Sequence, residues 1–190
     1  LVQWCQEEGL DLDKITPSKF DSVLGEGTGA GMIFGNTGGV MEAALRTVYR
    51  VLEGKEAPAD FYQLRPVRGL SNRKEAEVTI AGKKLRVCIL YGTAAAEEFL
   101  AEDMNGYHFV EVMTCPGGCI SGAGQPDCGS VPVSDVVRKK RIQSLYQADE
   151  QAERRNSMDN PEIGTIYHEF FKEPLSMLSE KLLHTTYKRK

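Results

Sequence analysis

Two cysteines in a glycine-rich loop are the residues of this chain best suited to chemistry. Cys115 and Cys119 stand four positions apart within residues 113–126, where four glycines and two prolines surround them. Glycine lets a backbone approach a bulky group closely, and proline stiffens a turn. The loop is therefore suited to presenting two thiols to a ligand rather than to packing in a core.

Three interpretations of this pair are open from its spacing alone. Thiolates are the soft ligands that zinc and iron–sulfur clusters select, which favours a metal site. A redox dithiol is the second interpretation, although three residues separate these cysteines where such pairs usually have two. The third is a pair of ordinary loop cysteines, which are rare in a glycine-rich turn. The metal or iron–sulfur site is the favoured interpretation.

A closed metal site needs four ligands, and the rest of the sequence offers few. Cys88 lies in an apolar run and is expected to be buried in a strand, while Cys5 in the first helix has no partner pattern. Cys128 is a candidate third ligand, although an exposed loop cysteine is the simpler expectation. None of the histidines has ligand spacing to the pair: His108, His168 and His184. The pair is thus predicted to be half of a site whose other ligands lie outside these residues.

The elements that must position this loop are predicted to form an α/β lobe, with a small mainly parallel sheet flanked by helices, a β-hairpin and C-terminal helices. Residues 76–80 and 84–91 alternate in hydrophobicity around Ala81-Gly82, which indicates the hairpin. The second of these strands, a helix over 94–104 and a strand over 107–113 predict a right-handed crossover. The cysteine loop would then begin at the carboxyl end of a parallel strand, where open α/β sheets bind ligands.

A second glycine-rich stretch precedes a predicted helix. Residues 25–39 contain seven glycines, but their spacing matches no phosphate-binding motif. Apolar residues recur at helical spacing from Gly39 to about Leu52, with Thr37 as the expected N-cap. The N–H groups at such a helix N-terminus favour an anionic guest. The alternative is a tight turn packed on a neighbouring helix.

The other segments are predicted to be helical. Asn160-Pro161 is a suitable N-cap and first position, and Ser134 or Asp135 can cap a long charged helix. Three leucines of the last helix are expected to pack on the core: Leu178, Leu182 and Leu183. The helices are predicted over residues 2–8, 134–155, 162–171 and 176–184.

Composition places the chain among ordinary globular proteins. Its 190 residues are 41% hydrophobic and 26% charged, with a net charge of −4. That balance disfavours a nucleic-acid-binding function, since Lys188-Arg189-Lys190 is too short to form a basic face. No apolar run approaches the ~20 residues needed to cross a bilayer. The five unevenly spaced cysteines favour a reducing compartment, and the start at Leu1 indicates a piece of a longer polypeptide.

The cysteine loop resembles a known signature. Residues 113–126, Met-Thr-Cys-Pro-Gly-Gly-Cys-Ile-Ser-Gly-Ala-Gly-Gln-Pro, are similar to the third signature of [FeFe]-hydrogenases, M-x-C-x-x-G-C-x-x-G-G-G-Q-P. Further segments are similar to that family in the same order, so the resemblance covers essentially the whole chain. These segments are residues 33–46, 67–70, 74–78 and 182–187.

The resemblance implies an H-cluster, in which a [4Fe–4S] cubane is joined through one cysteine sulfur to a diiron unit carrying CO, cyanide and a dithiolate. By motif position Cys115 would ligate the cubane, Cys119 would bridge the two units, and Phe34 and Met113 would line the diiron pocket. The implied reaction is the reversible reduction of protons to H₂. The implied partners are the missing N-terminal part of the same domain, an electron carrier such as ferredoxin, and hydrogenase maturation proteins, with no nucleic acid or membrane.

The chain departs from the family pattern in two ways. The first two cysteine signatures, the proton-relay cysteine and a lysine near a cyanide ligand would all precede Leu1, so these 190 residues alone are expected to be inactive. Ala123 replaces the middle glycine of the signature and would strain the backbone if that position needs a positive φ.

The leading hypothesis is that residues 1–190 are the C-terminal portion of an [FeFe]-hydrogenase catalytic domain. Helices continuous with the signature favour a cytoplasmic, single-chain enzyme over the periplasmic two-subunit type. The alternatives are a non-catalytic iron–sulfur assembly factor, an H₂ sensor, and a self-contained zinc or thiol-redox module. The retained Phe34 and Met113 favour the catalytic hypothesis over the assembly factor.

Overall fold

A three-stranded sheet lies among helices that precede it, connect its strands and follow it. The structure is a computed structural model and describes residues 1–19, 21, 25–102 and 104–187. The strands are Arg73–Ile80 (β1), Lys83–Tyr91 (β2) and Phe109–Met113 (β3). The α-helices are Val2–Glu7 (α1), Gly29–Ile33 (α2), Gly39–Glu53 (α3), Thr93–Ala101 (α4), Asp135–Gln151 (α5), Pro161–Ile166 (α6) and Met177–Leu183 (α7). A π-helical turn, Tyr167–Phe171, continues α6.

The sheet has the order β1-β2-β3 and contains both predicted connections. β1 and β2 form an antiparallel hairpin, whose turn places Ala81 and Gly82 at φ values of 50° and 72°. β2 and β3 are parallel, with Val87 opposite Phe109, and α4 connects them. The predicted α/β lobe is confirmed. The sheet is mixed rather than mainly parallel, because the hairpin supplies one of its two strand pairings.

β2 is buried on both faces, which explains its continuous apolar run. Val87 and Ile89 pack in one cluster with Met41 of α3, whereas Cys88 and Leu90 pack in another with α4. The prediction that Cys88 is a buried apolar strand residue is confirmed. Burial raises the pKa of its thiol, which disfavours the thiolate that a metal would need.

A buried network of charges joins α3 to α5 and to the segment before β1. Arg46 is fully buried and donates to Glu42 at 2.8 Å and to both oxygens of Asp149 at 2.8 and 2.9 Å. Arg68 donates to Glu42 through two nitrogens, and Arg155 donates to Asp149 at 2.6 Å. Each carboxylate therefore binds two guanidinium groups, which offsets the cost of removing these charges from water.

Several predicted helix ends differ from those observed. Gly38, at φ 91°, is the N-cap of α3, so the prediction of Thr37 was wrong. The left-handed backbone needed at the cap favours glycine, and Thr37 is instead buried. The five-residue helix α2 was missed, although Thr28 caps it by accepting from Gly31 N–H. α5 ends at Gln151, four residues before the predicted end, because the chain is extended at Ala152.

The expectation that the leucines of α7 pack on the core was wrong. Leu178, Leu182 and Leu183 are 38%, 54% and 54% exposed, and Ser179 is the buried residue of this helix. At the other end of the chain, Trp4 is 63% exposed. An amphipathic pattern identifies an apolar face but does not require that its partner lie in the same segment. Among the described residues, no helix is both long and apolar enough to span a membrane.

The charge network predicts that Asp149→Asn strongly destabilises the fold. The neutral amide leaves Arg46 buried without its second carboxylate, so the free energy of unfolding of the 190-residue chain should fall by about 3–5 kcal/mol at pH 7. Urea unfolding measures this loss. Glu150→Gln, at the exposed neighbouring position, is the control and should change stability little.

The same network predicts how stability depends on pH. Burial alone would raise the pKa of Asp149, but hydrogen bonds from Arg46 and Arg155 outweigh it and hold the pKa below its ordinary value. As the pH falls, Asp149 is therefore protonated at a higher pH in the unfolded chain than in the folded one. Wild-type stability should then fall as the pH drops below about 4. Asp149→Asn should lose that part of the slope. If the stability of Asp149→Asn changed with pH as steeply as that of the wild type, the ion pairs of Asp149 would not control acid stability.

Candidate functional site

The cysteine loop begins at the carboxyl end of β3, beside the parallel strand β2, as predicted. Gly92, directly after β2, donates its N–H to the Met113 carbonyl at 2.8 Å and joins the two strand ends. Cys115 is half-buried and Cys119 is exposed, and both are free thiols. Gly118 N–H donates to the Cys115 carbonyl at 2.9 Å, which closes a tight turn between the two cysteines. This turn places both cysteines at the edge of the sheet where the parallel strands β2 and β3 end.

The loop packs directly on the second glycine-rich stretch. Thr37 N–H donates to the Gly117 carbonyl, and Ile120 N–H donates to the Gly35 carbonyl, both at 3.0 Å. A Cβ at Gly118 would lie 2.8 Å from Thr37 N and 2.9 Å from the backbone of Asn36. Because Gly118 also has φ 99°, contact and backbone conformation both require glycine there. The two glycine-rich stretches thus form one surface.

The N-terminus of α3 binds an acidic side chain of this same protein, that of Glu111. Glu111 of β3 is buried, and its two oxygens accept from Gly38 N–H at 2.6 Å and from Met41 N–H at 2.7 Å. Burial raises the pKa of Glu111, and the two backbone hydrogen bonds partly oppose that rise. The sequence left an anionic guest and a tight turn packed on a neighbouring helix as alternatives, and the structure shows features of both: Glu111 occupies the N-terminus, and Gly35 lies against Leu145 of α5.

Lys74 of β1 lies beside this carboxylate on the same face of the sheet, since both residues are in register with Ile89 of β2, and it also binds the glycine-rich stretch. Its ammonium donates to the Thr37 carbonyl at 3.0 Å and to the Gly69 carbonyl at 3.1 Å. Burial lowers the pKa of Lys74 to about 8, against the opposing attraction of Glu111. Side chains of β1 and β3 on this one face of the sheet therefore both bind the backbone against which the cysteine loop packs.

The described residues do not gather a complete metal site around the cysteines. No group of three or more His, Cys, Asp or Glu side chains within residues 1–19, 21, 25–102 and 104–187 is placed to hold a metal ion. Cys128 is exposed and its sulfur lies 3.6 Å from an Arg141 nitrogen, so it does not join Cys115 and Cys119 as a third ligand. The pair remains two soft donors on one open turn, which fits a shared iron–sulfur ligand set better than a closed zinc site.

The two other predicted site residues lie next to the same surface. Phe34 is 44% exposed and caps α2 immediately before Gly35, whose carbonyl binds the cysteine loop. Met113 is half-buried at the end of β3. Ala123 does not have a positive φ, unlike its neighbour Gly124, so its methyl group does not impose the left-handed strain considered above.

Two arginines that were not predicted as functional bind the cysteine loop from α5. Arg141 donates to the Ile120 carbonyl at 2.6 Å and also to the Pro126 carbonyl. Arg138 donates from Nε to the Ser121 hydroxyl at 3.1 Å. Their spacing of three positions on one helix face was available in the sequence, but a charged helix face is more often solvated. The contacts could be identified only once α5 was placed against the loop.

Comparison with known proteins identifies the family. A profile described as the C-terminal domain of the iron only hydrogenase large subunit matches residues 1–123. The chain belongs to the iron-only hydrogenase family. A second profile of iron-only hydrogenases, described as the small subunit, matches residues 135–190. The boundary between the two matches falls between the cysteine turn and α5.

Individual iron-only hydrogenases match over nearly the full chain. Iron hydrogenase 1 of Clostridium pasteurianum is 36% identical over 193 residues, covering 100% of this chain and 33% of that protein. The solved structure of a variant of [FeFe]-hydrogenase HydA1 from Chlamydomonas reinhardtii has a TM-score of 0.70 at 32% identity, covering 97% of this chain and 53% of that one. The resemblance to hydrogenases is confirmed.

A relative of another kind also matches. The cytosolic Fe-S cluster assembly factor narfl of Xenopus tropicalis is 27% identical over 198 residues, covering 98% of this chain and 39% of that protein. This chain therefore spans about a third of the length of the curated relatives it matches. Family membership fits iron–sulfur and oxidoreductase chemistry, and the choice between catalysis and assembly depends on the site.

The contact between the two glycine-rich stretches predicts a large effect of Gly118→Ala. The added methyl group would collide with the backbone of Asn36 and Thr37, so stability should fall by roughly 1–3 kcal/mol more than in the control. Gly124→Ala is the matched control, because Gly124 also has a left-handed φ of 89° but has nothing within 4 Å of its Cβ position. Urea unfolding compares the two variants. Equal losses would mean that backbone strain alone, and not the loop contact, requires Gly118.

Proposed function

We propose that this chain is the C-terminal part of a hydrogenase catalytic domain that reversibly reduces protons to H₂ at an H-cluster. The observation that carries this proposal is the incomplete ligand set at the sheet edge. Two free thiols are presented by a turn that the chain's own hydrogen bonds hold in place, with no third metal ligand from the described residues. A four-iron cubane needs more cysteine ligands than this pair provides, so the chain would supply two of four.

The unequal exposure of the cysteines supports unequal roles. Cys115 is half-buried, and a Cβ at Gly122 would lie 3.9 Å from its sulfur, so its thiol faces a side-chain-free part of the loop that suits the bulky cubane. Cys119 is exposed at the tip of the turn, which suits the sulfur that bridges cubane and diiron unit. When bound, the cluster would supply the electron storage and the proton reduction. Phe34 and Met113 would line the diiron unit and exclude water from it.

The remaining ligands would come from the N-terminal part of the same domain. The apolar surfaces of α1 and α7 support this, because Trp4, Leu182 and Leu183 are more than half exposed in the described structure. Such faces are typical of surfaces that another segment covers. The share of each relative that the chain spans is also consistent with a missing part. The complete protein would exchange electrons with a carrier such as ferredoxin and receive its diiron unit from maturation proteins.

The single-chain arrangement supports a cytoplasmic enzyme. Residues 135–190, which the small-subunit profile matches, continue directly from the cysteine loop in this chain. In a two-subunit enzyme the corresponding segment would be a separate polypeptide. We therefore propose a cytoplasmic enzyme of the single-chain type.

A second candidate is a non-catalytic role in iron–sulfur cluster assembly. The match to an assembly factor over 98% of this chain supports it. That role requires a cubane but not a diiron pocket. The exposed Phe34 and the half-buried Met113, both close in sequence to residues of the site, favour the catalytic role because they would provide an apolar wall for a second cofactor unit.

Activity of the complete domain tests the proposal. After anaerobic reconstitution of the cubane and loading of the diiron unit, the protein should evolve H₂ from a reduced dye, and infrared spectra should show bound CO and cyanide. Cys119→Ser should lose the diiron bands and the activity, whereas Cys128→Ser, at a cysteine outside the pair, should keep both. An intact cubane with no H₂ evolution would reject catalysis in favour of assembly.

If Cys115 and Cys119 are only two of four cluster ligands, a half-site, the isolated 190-residue chain should bind no stable four-iron cluster. Two cysteine ligands leave two irons of a cubane without protein ligands, so iron added under reducing, anaerobic conditions should be lost on gel filtration. Iron and zinc analysis of the eluted protein makes the measurement, with the Cys115→Ser/Cys119→Ser double variant as the background. One tightly bound zinc per chain would contradict the half-site.

A further inference from the structure

Arg141 of α5, a helix that also packs on the glycine-rich stretch, binds the cysteine loop through two backbone carbonyls. We infer that Arg141 positions this loop and that its positive charge makes the bound cluster easier to reduce. The first part concerns the protein alone. The second part rests on the proposed function, since it requires a cluster on Cys115 and Cys119.

The positioning part follows from the two carbonyls that one guanidinium binds. Arg141 donates to the carbonyls of Ile120 and Pro126, which lie at the two ends of the segment that follows Cys119. A planar guanidinium can hold two acceptors in a fixed geometry, whereas a lysine ammonium acts as a single point charge. Ile120 N–H donates in turn to the Gly35 carbonyl. The residue after Cys119 is therefore held through both of its backbone polar groups.

The electrostatic part follows from the lack of a neutralising partner. Arg138, one turn earlier, donates to Asp135 at 2.7 Å, which offsets its charge. Within the described part of the chain, no carboxylate lies in ion-pair distance of Arg141. Its half-buried guanidinium thus keeps a net positive charge next to the residue that follows Cys119. A nearby positive charge stabilises the more negative, reduced state of a cluster, which raises the reduction potential.

This interaction crosses the boundary between the two family matches. The cysteines belong to the region that the large-subunit profile matches, and Arg141 belongs to the region that the small-subunit profile matches. Residues 135–190, the segment that the small-subunit profile matches, would then hold the cluster ligands in position in addition to packing against the rest of the domain. Neither profile match assigns such a role to this segment.

Three variants of the complete domain separate the two parts of the inference. Arg141→Lys keeps the charge but loses the two-carbonyl geometry, and Arg141→Gln loses the charge as well. Lys139→Gln is the matched control, because Lys139 is an exposed cation on the same turn of α5 and makes no described contact with the loop.

Hydrogen exchange of the complete domain before diiron insertion tests positioning. Amides of residues 115–126 should exchange roughly tenfold faster in both Arg141 variants, the factor expected for losing a hydrogen bond from a charged donor. Lys139→Gln should match the wild type, and unchanged exchange in β2 would show that each variant remains folded. Wild-type exchange rates in Arg141→Gln would overturn the positioning role, whatever the protein's function.

A redox titration of the cubane, followed by electron paramagnetic resonance, tests the charge. Arg141→Gln should have a more negative midpoint potential than the wild type, Arg141→Lys should lie closer to the wild type, and Lys139→Gln should be unchanged because its charge is solvated. Equal shifts in Arg141→Gln and Lys139→Gln, or no shift in either, would overturn the electrostatic role. A wild-type protein that holds no cubane would instead reject the proposed function, and hydrogen exchange would still decide the positioning role.

Discussion

The pairing of the buried Glu111 carboxylate with the N-terminus of α3 is the interaction on which the rest of the site depends. One side chain joins the strand that leads into the cysteine loop to the helix that follows the glycine-rich stretch. The carboxylate satisfies N–H groups that a helix start would otherwise leave unpaired and is favoured by the helix dipole. Glu111 thereby links the strand that leads into one glycine-rich stretch to the end of the other, and the two stretches then meet through the Thr37–Gly117 and Ile120–Gly35 hydrogen bonds.

The parts of the fold that the sequence predicted are those encoded by local patterns. The hairpin, the crossover helix and the loop at the end of β3 follow from alternating hydrophobicity and turn residues close together in the chain. The interactions that complete the site are not local: Gly38 and Glu111 are 73 residues apart, and Arg46 and Asp149 are 103 apart. Pairing over such separations depends on packing, which no local pattern specifies.

Two wrong predictions have instructive physical causes. Thr37 is a good N-cap by residue type, but the left-handed backbone at Gly38 moves the helix start and leaves Thr37 facing Lys74. The apolar spacing of α7 is real, yet its leucines are 38–54% exposed, because helical spacing identifies an apolar face without specifying what packs on it. The unequal roles proposed for the two cysteines rest on the resemblance, since spacing alone treats the two thiols as equivalent.

Among the described residues, the cysteine turn is held by hydrogen bonds with Gly35 and Thr37 of the glycine-rich stretch and with Arg138 and Arg141 of α5. None of them needs a metal. Under the proposed function, folding and cluster binding would then be separate events, in contrast to small zinc domains, where metal binding supplies the folding free energy. The turn would act as a preformed template, so the free energy of cluster binding would not be consumed in ordering it.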